Sequence, residues 1–180
     1  IQAGNAARLT DFKGLGTGAI RLDGELSITG AASGDLSNTV TFGSEPGGVL
    51  DLVNSRGAQS GTLQGESAAI RLTNSEWTLA GNNSRLGAGS SFTIDASSRL
   101  TAAGSGTLGQ AAVSIGGVLE LDASEGTEWN LFNRLSDDGT DAGELVKKGE
   151  GTVVLNAENS RTGSTSIEAG ELRLEHVLGP

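Results

Sequence analysis

Short apolar–x–apolar pairs recur through this 180-residue chain in steps of about 22 residues, and that recurrence restricts the fold more than any other feature. The pairs are Ile20/Leu22, Leu26/Ile28, Val40/Phe42, Leu50/Leu52, Ile70/Leu72, Trp77/Leu79, Phe92/Ile94, Val113/Ile115, Leu119/Leu121 and Trp129/Leu131. Gly, Asn, Asp or Ser follows each within a few residues, which is turn chemistry. One series steps from Leu26 to Leu50, Ile70, Phe92 and Val113, at intervals of 24, 20, 22 and 21 residues. A second steps from Trp77 to Leu100 to Leu121, at 23 and 21. No window sustains the apolar stripe of a helix.

Two series of nearly equal period are what a solenoid produces when each coil contributes more than one short strand. Equivalent strands then stack in parallel at about 4.8 Å, and about eight coils make a rod roughly 40 Å long. Parallel crossovers are right-handed, so the expected fold is all-β, a right-handed parallel β-helix of about 20–24 residues per coil. An antiparallel sandwich or barrel would show hairpin turns every 8–12 residues or so and more aromatic residues.

Composition agrees with a narrow, repetitive core. There are 29 glycines, only two prolines, and neither Tyr nor Met. Leu, Ile, Val and Ala must fill the interior, with Ala68, Ala69, Ala111 and Ala112 suited to points where a coil narrows. The alternative for a Gly/Ser-rich acidic chain is disorder, which the regular apolar pairs oppose. The net charge of −10 disfavours nucleic acid and anionic membranes as partners. Without cysteine there is no disulfide framework or thiol chemistry, and a chain threaded across an envelope gains from that. No apolar run is long enough for a transmembrane helix. Ile1 begins mid-pattern, so a segment of a longer protein is expected. The organisation expected is coils over 1–125 and a C-terminal segment, 126–180, that leaves the period and caps the stack.

Residues with catalytic or ligand chemistry form no convincing set. His176 is the single histidine, and no nucleophile-elbow serine accompanies it. Asp137, Asp138, Asp141 and Glu144 cluster in LSDDGTDAGE, but their spacing is not that of an EF-hand or a calcium β-roll, and a solvated loop is expected. GLGTGAI at Gly14–Ile20 lacks the helix that a phosphate turn requires. Lys147 and Lys148 read as lysines guarding an exposed strand edge. Trp77 and Trp129, each followed by Leu two positions on, read as inward anchors. No enzyme activity, cofactor or metal is expected.

The stretch Leu145–Leu155, LVKKGEGTVVL, followed by Asn159–Leu174, NSRTGSTSIEAGELRL, resembles the passenger-associated transport repeat of bacterial autotransporters. The family pattern runs L-x-K-x-G-x-G-x-L-x-L, then N-x-Y-x-G-x-T-x-I-x-x-G-x-L-x-L. Arg161 stands where the family usually has Tyr, and Val153 replaces the first Leu of a pair. The upstream WNLFN and SEWTLAGNNSRL also resemble passenger rungs.

The resemblance implies the C-terminal part of a type V secreted passenger, ending in an autochaperone region that nucleates β-helix folding and promotes translocation to the bacterial cell surface. On that basis Trp129, Leu131, Leu145, Val153, Leu155, Ile167, Leu172 and Leu174 form a hydrophobic seed, joined by Asn159 and Thr165. Gly149, Gly151, Gly163 and Gly170 hold its turns. The implied partners are the protein's own C-terminal outer-membrane β-barrel and the upstream coils. The competing expectation is an adhesive surface for host matrix, glycan or another passenger copy, using Arg71, Arg85, Arg99 or the acidic loop. A β-helical carbohydrate enzyme would need a carboxylate pair that the spacing does not select.

Overall fold

The structure, a computed structural model, describes residues 1–30, 33–44, 47–103 and 107–175. Its strands are short because glycines and small polar residues follow each apolar pair within a few positions. The first ten are β1 (Ala6–Leu9), β2 (Ile20–Leu22), β3 (Glu25–Thr29), β4 (Ser33–Asp35), β5 (Thr39–Phe42), β6 (Val49–Val53), β7 (Arg56–Gln59), β8 (Thr62–Gln64), β9 (Ala69–Thr73) and β10 (Glu76–Leu79). The next five are β11 (Ser91–Ile94), β12 (Arg99–Ala103), β13 (Ala112–Ile115), β14 (Val118–Asp122) and β15 (Glu128–Leu131). The last five are β16 (Leu135–Asp137), β17 (Glu144–Lys148), β18 (Thr152–Leu155), β19 (Thr165–Ile167) and β20 (Glu171–Leu174).

Every pairing between these strands is parallel. One seven-stranded face runs β1-β3-β6-β9-β11-β13-β16 and a second runs β4-β7-β10-β12-β14-β17-β19. The third face holds strands only near its ends, β2-β5-β8 and β15-β18-β20. The result is the expected solenoid, of about eight coils.

The first sequence series is one inward column. Leu26 stacks on Leu50, Leu50 on Ile70, Ile70 on Phe92 and Phe92 on Val113, and the column continues to Leu135. All are buried. The second series needs correction after its first step. Trp77 stacks on Leu100, but Leu100 stacks on Leu119, while Leu121 lies against Ala102. Side chains alternate with period two, so Leu119 and Leu121 both face inward, and turn length decides which one stands opposite.

Of the alanines assigned to the interior, Ala68 and Ala111 are buried, whereas Ala69 and Ala112 point outward because each follows the buried one in an extended strand. Gly34 and Gly57 occupy inward positions in the column above Trp77. Phe12 fills the space they leave, its ring 5.2 Å from that of Trp77. A Cβ on Gly34 would meet Phe12 and one on Gly57 would meet Trp77.

Between the first and second faces, the corner is held by a polar ladder. Ser98 Oγ accepts from Ser75 N, and Ser75 Oγ accepts from Ser55 N, each at 3.0 Å. All three serines are buried. Beside them Asn54 and Asn74 take positive φ, 50° and 46°, which short amide side chains tolerate, and Asn74 Nδ2 donates to Asn54 Oδ1 at 2.7 Å. Such ladders satisfy backbone groups that the turn takes out of the sheets.

The described part of the C-terminal segment continues the stack. β19 and β20 are one more coil, and among the described residues no strand pairs with their outer edges. The period is disturbed by the longer step, 26 residues, from Leu119 to Leu145, which the LSDDGTDAGE loop lengthens.

Candidate functional site

The two halves of the Leu145–Leu174 stretch are successive coils, each a strand of the second face, a glycine turn and a strand of the third face. β17 lies on β19, with Leu145 over Thr165 and Lys147 over Ile167. β18 lies on β20, with Val153 over Leu172 and Leu155 over Leu174. Above them β15 sets Trp129 on Val153 and Leu131 on Leu155. Two inward columns therefore join the seed residues, Trp129–Val153–Leu172 and Leu131–Leu155–Leu174.

Burial in both columns is greatest at the middle coil, at Val153 and Leu155. Leu131, Leu145, Val153 and Leu155 are buried, and Trp129 and Leu172 are partly buried against the core. Ile167 and Leu174 are 55% and 74% exposed, though they face the same way. Leu145, Leu155, Leu172, Ile167 and Leu174 line an open end of about 400 Å³. Asn159 is exposed and makes a single parallel bridge to Leu135. Gly149 and Gly170 have φ of +68° and +66°, and a Cβ on either would run into the carbonyl oxygen of the neighbouring coil, Ala123 or Gly151. Gly151 and Gly163 stack as closely on Ser124 and Gly143.

Lys147 is not an edge guard. It occupies an inward position between Leu121 and Ile167 and is fully buried. Its stem fills the column, and Nζ donates to Lys148 O at 2.6 Å, Gly149 O at 2.7 Å and Ala169 O at 3.2 Å. The first two acceptors belong to its own turn and the third to the turn of the next coil. Burial pushes its pKa down, and Asp122 and Glu150 oppose that shift. The alternation in Leu145-x-Lys147 was the signal that this lysine faces inward. Lys148, by contrast, points outward to Glu120 Oε1 at 2.8 Å and Glu168 at 3.8 Å.

Glu120 is the second buried charge that the sequence did not reveal. Burial alone would raise its pKa, but Lys148, Thr101 and Arg99 outweigh burial and hold it below the ordinary glutamate value. Arg99 is thereby committed to Glu120 and is not a free surface cation. Arg71 and Arg85 remain outward and exposed, and Arg85 Nη1 reaches Gln64 at 3.5 Å.

Arg161, at the family's tyrosine position, is a carbonyl clamp. Its Nη1 donates to Ser164 O at 2.7 Å, Gly163 O at 3.1 Å and Gly143 O at 3.3 Å, and its Nη2 donates to Thr165 Oγ1. It thus fixes the entry to β19 against the coil above. In the acidic loop, the Asp137 carboxylate accepts from Thr162 N and Thr162 Oγ1 of the following coil. Asp138 accepts from the Thr140 and Asp141 amides, and these bonds lower its pKa. Asp141 is exposed and Glu144 half-buried, and the Asp137 and Asp138 carboxylates already serve backbone amides. The Gly14–Ile20 stretch runs from a short 3-10 turn, Lys13–Leu15, to the first residue of β2, with no α-helix. Trp77 is buried as expected. His176 lies outside the described residues.

Residues 145–174 match the family model of the passenger-associated-transport-repeat. The matched segment is the pair of stacked terminal coils described above, and a β-solenoid carrying that repeat is consistent with an autotransporter passenger domain. No curated protein and no solved structure gives a significant match to the chain.

Proposed function

We propose that the two terminal coils nucleate the folding of this solenoid during secretion to the bacterial cell surface, acting as the autochaperone of an autotransporter passenger. The observation that carries the reading is the Lys147 bond to Ala169 O, made across two coils that are adjacent in sequence and in register. A solenoid coil contacts only its neighbours, so one pre-formed coil pair spares each later coil the cost of nucleation. Parallel pairing is slow without such a template, because loop closure precedes any contact that offsets it. Once the terminal pair exists, β14 and β15 have an edge on which to add, and growth runs toward the N-terminus. Folding outside the cell then biases translocation outward. On this reading the protein is not an enzyme, its partners are the outer-membrane β-barrel and the upstream coils, and the sides of the rod serve adhesion.

Refolding kinetics test the nucleation role. Leu155→Ala is expected to slow refolding with little effect on unfolding, and Leu52→Ala to speed unfolding with refolding nearly unchanged. In the full-length parent protein, Leu155→Asp is expected to abolish surface display. Refolding slowed by Leu52→Ala but not by Leu155→Ala, or normal display of Leu155→Asp, would overturn the proposal.

A further inference from the structure

Three large apolar side chains are exposed among the described residues, Phe132, Ile167 and Leu174. Ile167 and Leu174 belong to the open end of the stack. Phe132, 67% exposed, lies on the side of the rod. Its neighbours Leu131 and Asn133 are buried, so the alternation of an extended segment turns it outward. Leaving a phenyl ring in water forgoes about 2 kcal/mol of burial.

The ring borders a recess of about 420 Å³ lined also by Ala88, Gln110, Ala112 and Arg134. Ala112 and Arg134 lie on adjacent coils, since Val113 N donates to Arg134 O. The two alanines give a low methyl floor, above which Phe132, Gln110 and Arg134 stand. Arg134 differs from the other cations of the C-terminal half. Arg99 and Lys148 hold Glu120, Arg173 holds Glu128 and Glu171, and Lys147 and Arg161 are bound to carbonyl oxygens. Among the described residues from Arg99 onward, Arg134 alone has a cationic side chain with neither ion pair nor hydrogen bond. A bare guanidinium beside an open aromatic ring is an exception on a chain of net charge −10.

We propose that this recess binds a carboxylate-bearing pyranose, a uronic or a sialic acid unit of a glycan. Arg134 pairs with the carboxylate, for which its planar fork is suited. The face of Phe132 and the alanine methyls receive the C–H face of the sugar ring, and the Gln110 amide serves its hydroxyls. A peptide strand is less well served, because β13, which carries Ala112, is paired on both sides and offers no free edge for augmentation. The site deepens the adhesive reading of the rod's sides and is independent of nucleation at its end.

Amide NMR titration of the 15N-labelled chain with 3′-sialyllactose, with a hyaluronan tetrasaccharide and with lactose tests the site. The expected result is saturable shifts around residues 88, 110–112 and 132–134 with at least one acid, and at least tenfold weaker binding of lactose. Arg134→Gln and Phe132→Ser, both outward changes, are each expected to weaken the acid tenfold or more with the melting temperature unchanged, while Arg71→Gln binds as the parent does. The preferred acid identifies the source of the carboxylate. No saturable binding of either acid, equal affinity for lactose, tighter binding of an acidic peptide at the same amides, or parental affinity in both variants would overturn the proposal. Adhesion of the full-length protein to host cells separates the two ideas: if it survives both substitutions the recess fails and the adhesive reading stands, and if it is absent from the parent the adhesive reading fails whatever the titration gives.

Discussion

The ammonium of Lys147 and the carbonyl oxygen of Ala169 meet at 3.2 Å across the step between two consecutive coils. The same ammonium holds two carbonyls of its own turn, so a single buried cation fixes how the two halves of the transport repeat sit on one another. Lys147→Met keeps the stem and removes the donors, leaving turn carbonyls short of partners. A loss of about 1–3 kcal/mol is expected. Urea unfolding checks it, with proteolysis between 148 and 170 as a local readout.

Leu155 and Leu174 occupy one column but opposite ends of burial, 4% and 74% exposed. Leu155→Asp places a carboxylate in the core at a cost of several kcal/mol, and the terminal coils are expected to lose their protection from protease. Leu174→Asp is expected to change stability by less than about 1 kcal/mol. Equal effects in denaturant titrations would mean that the end of the stack is covered in solution.

Ser75 stands in the middle of the serine ladder, accepting from Ser55 N and donating to Leu52 O or Thr73 O at 2.9 Å. Ser75→Ala leaves a buried amide without its acceptor and is expected to cost about 1–3 kcal/mol. Thr78→Ala, an outward change on the next strand, is the control, expected within about 0.5 kcal/mol of the parent. Faster amide exchange at Ser55 is the specific sign.

Glu120 gives the fold an acid limit. Its folded pKa is depressed below 4.5, so its contribution is complete above that value and disappears as pH falls through the folded value. Glu120→Gln is expected to flatten the fall in melting temperature below pH 4.5 relative to the parent and to lower stability at neutral pH, where Arg99 and Lys148 lose their partner. An unchanged acid limb would show that other carboxylates set it.

Much of this architecture was written in local pattern. Period-two alternation assigned Leu26, Leu50, Ile70, Phe92 and Val113 to one inward column because nothing but a recurring coil returns such pairs to one line at steps of about 22 residues. The repeat motif at Leu145–Leu174 was legible for the same reason, since its glycines and leucines are the minimum that a tight parallel coil requires. What alternation does not carry is which of two inward residues stands opposite a third, and so Leu119 rather than Leu121 under Leu100 was decided by the length of the turn between faces. The fates of the charged residues were decided in the same way. Alternation with Leu145 already turned Lys147 inward, but Glu120 gathered Arg99 and Lys148, and Lys147 reached Ala169 O, through relationships that join residues about 20 or more positions apart. The sequence by itself determined that this chain winds into stacked parallel coils and that its last two form the transport repeat. Only the stacking decided which partners its buried charges hold and which surfaces stay open, because those depend on neighbours that the coil brings together in space.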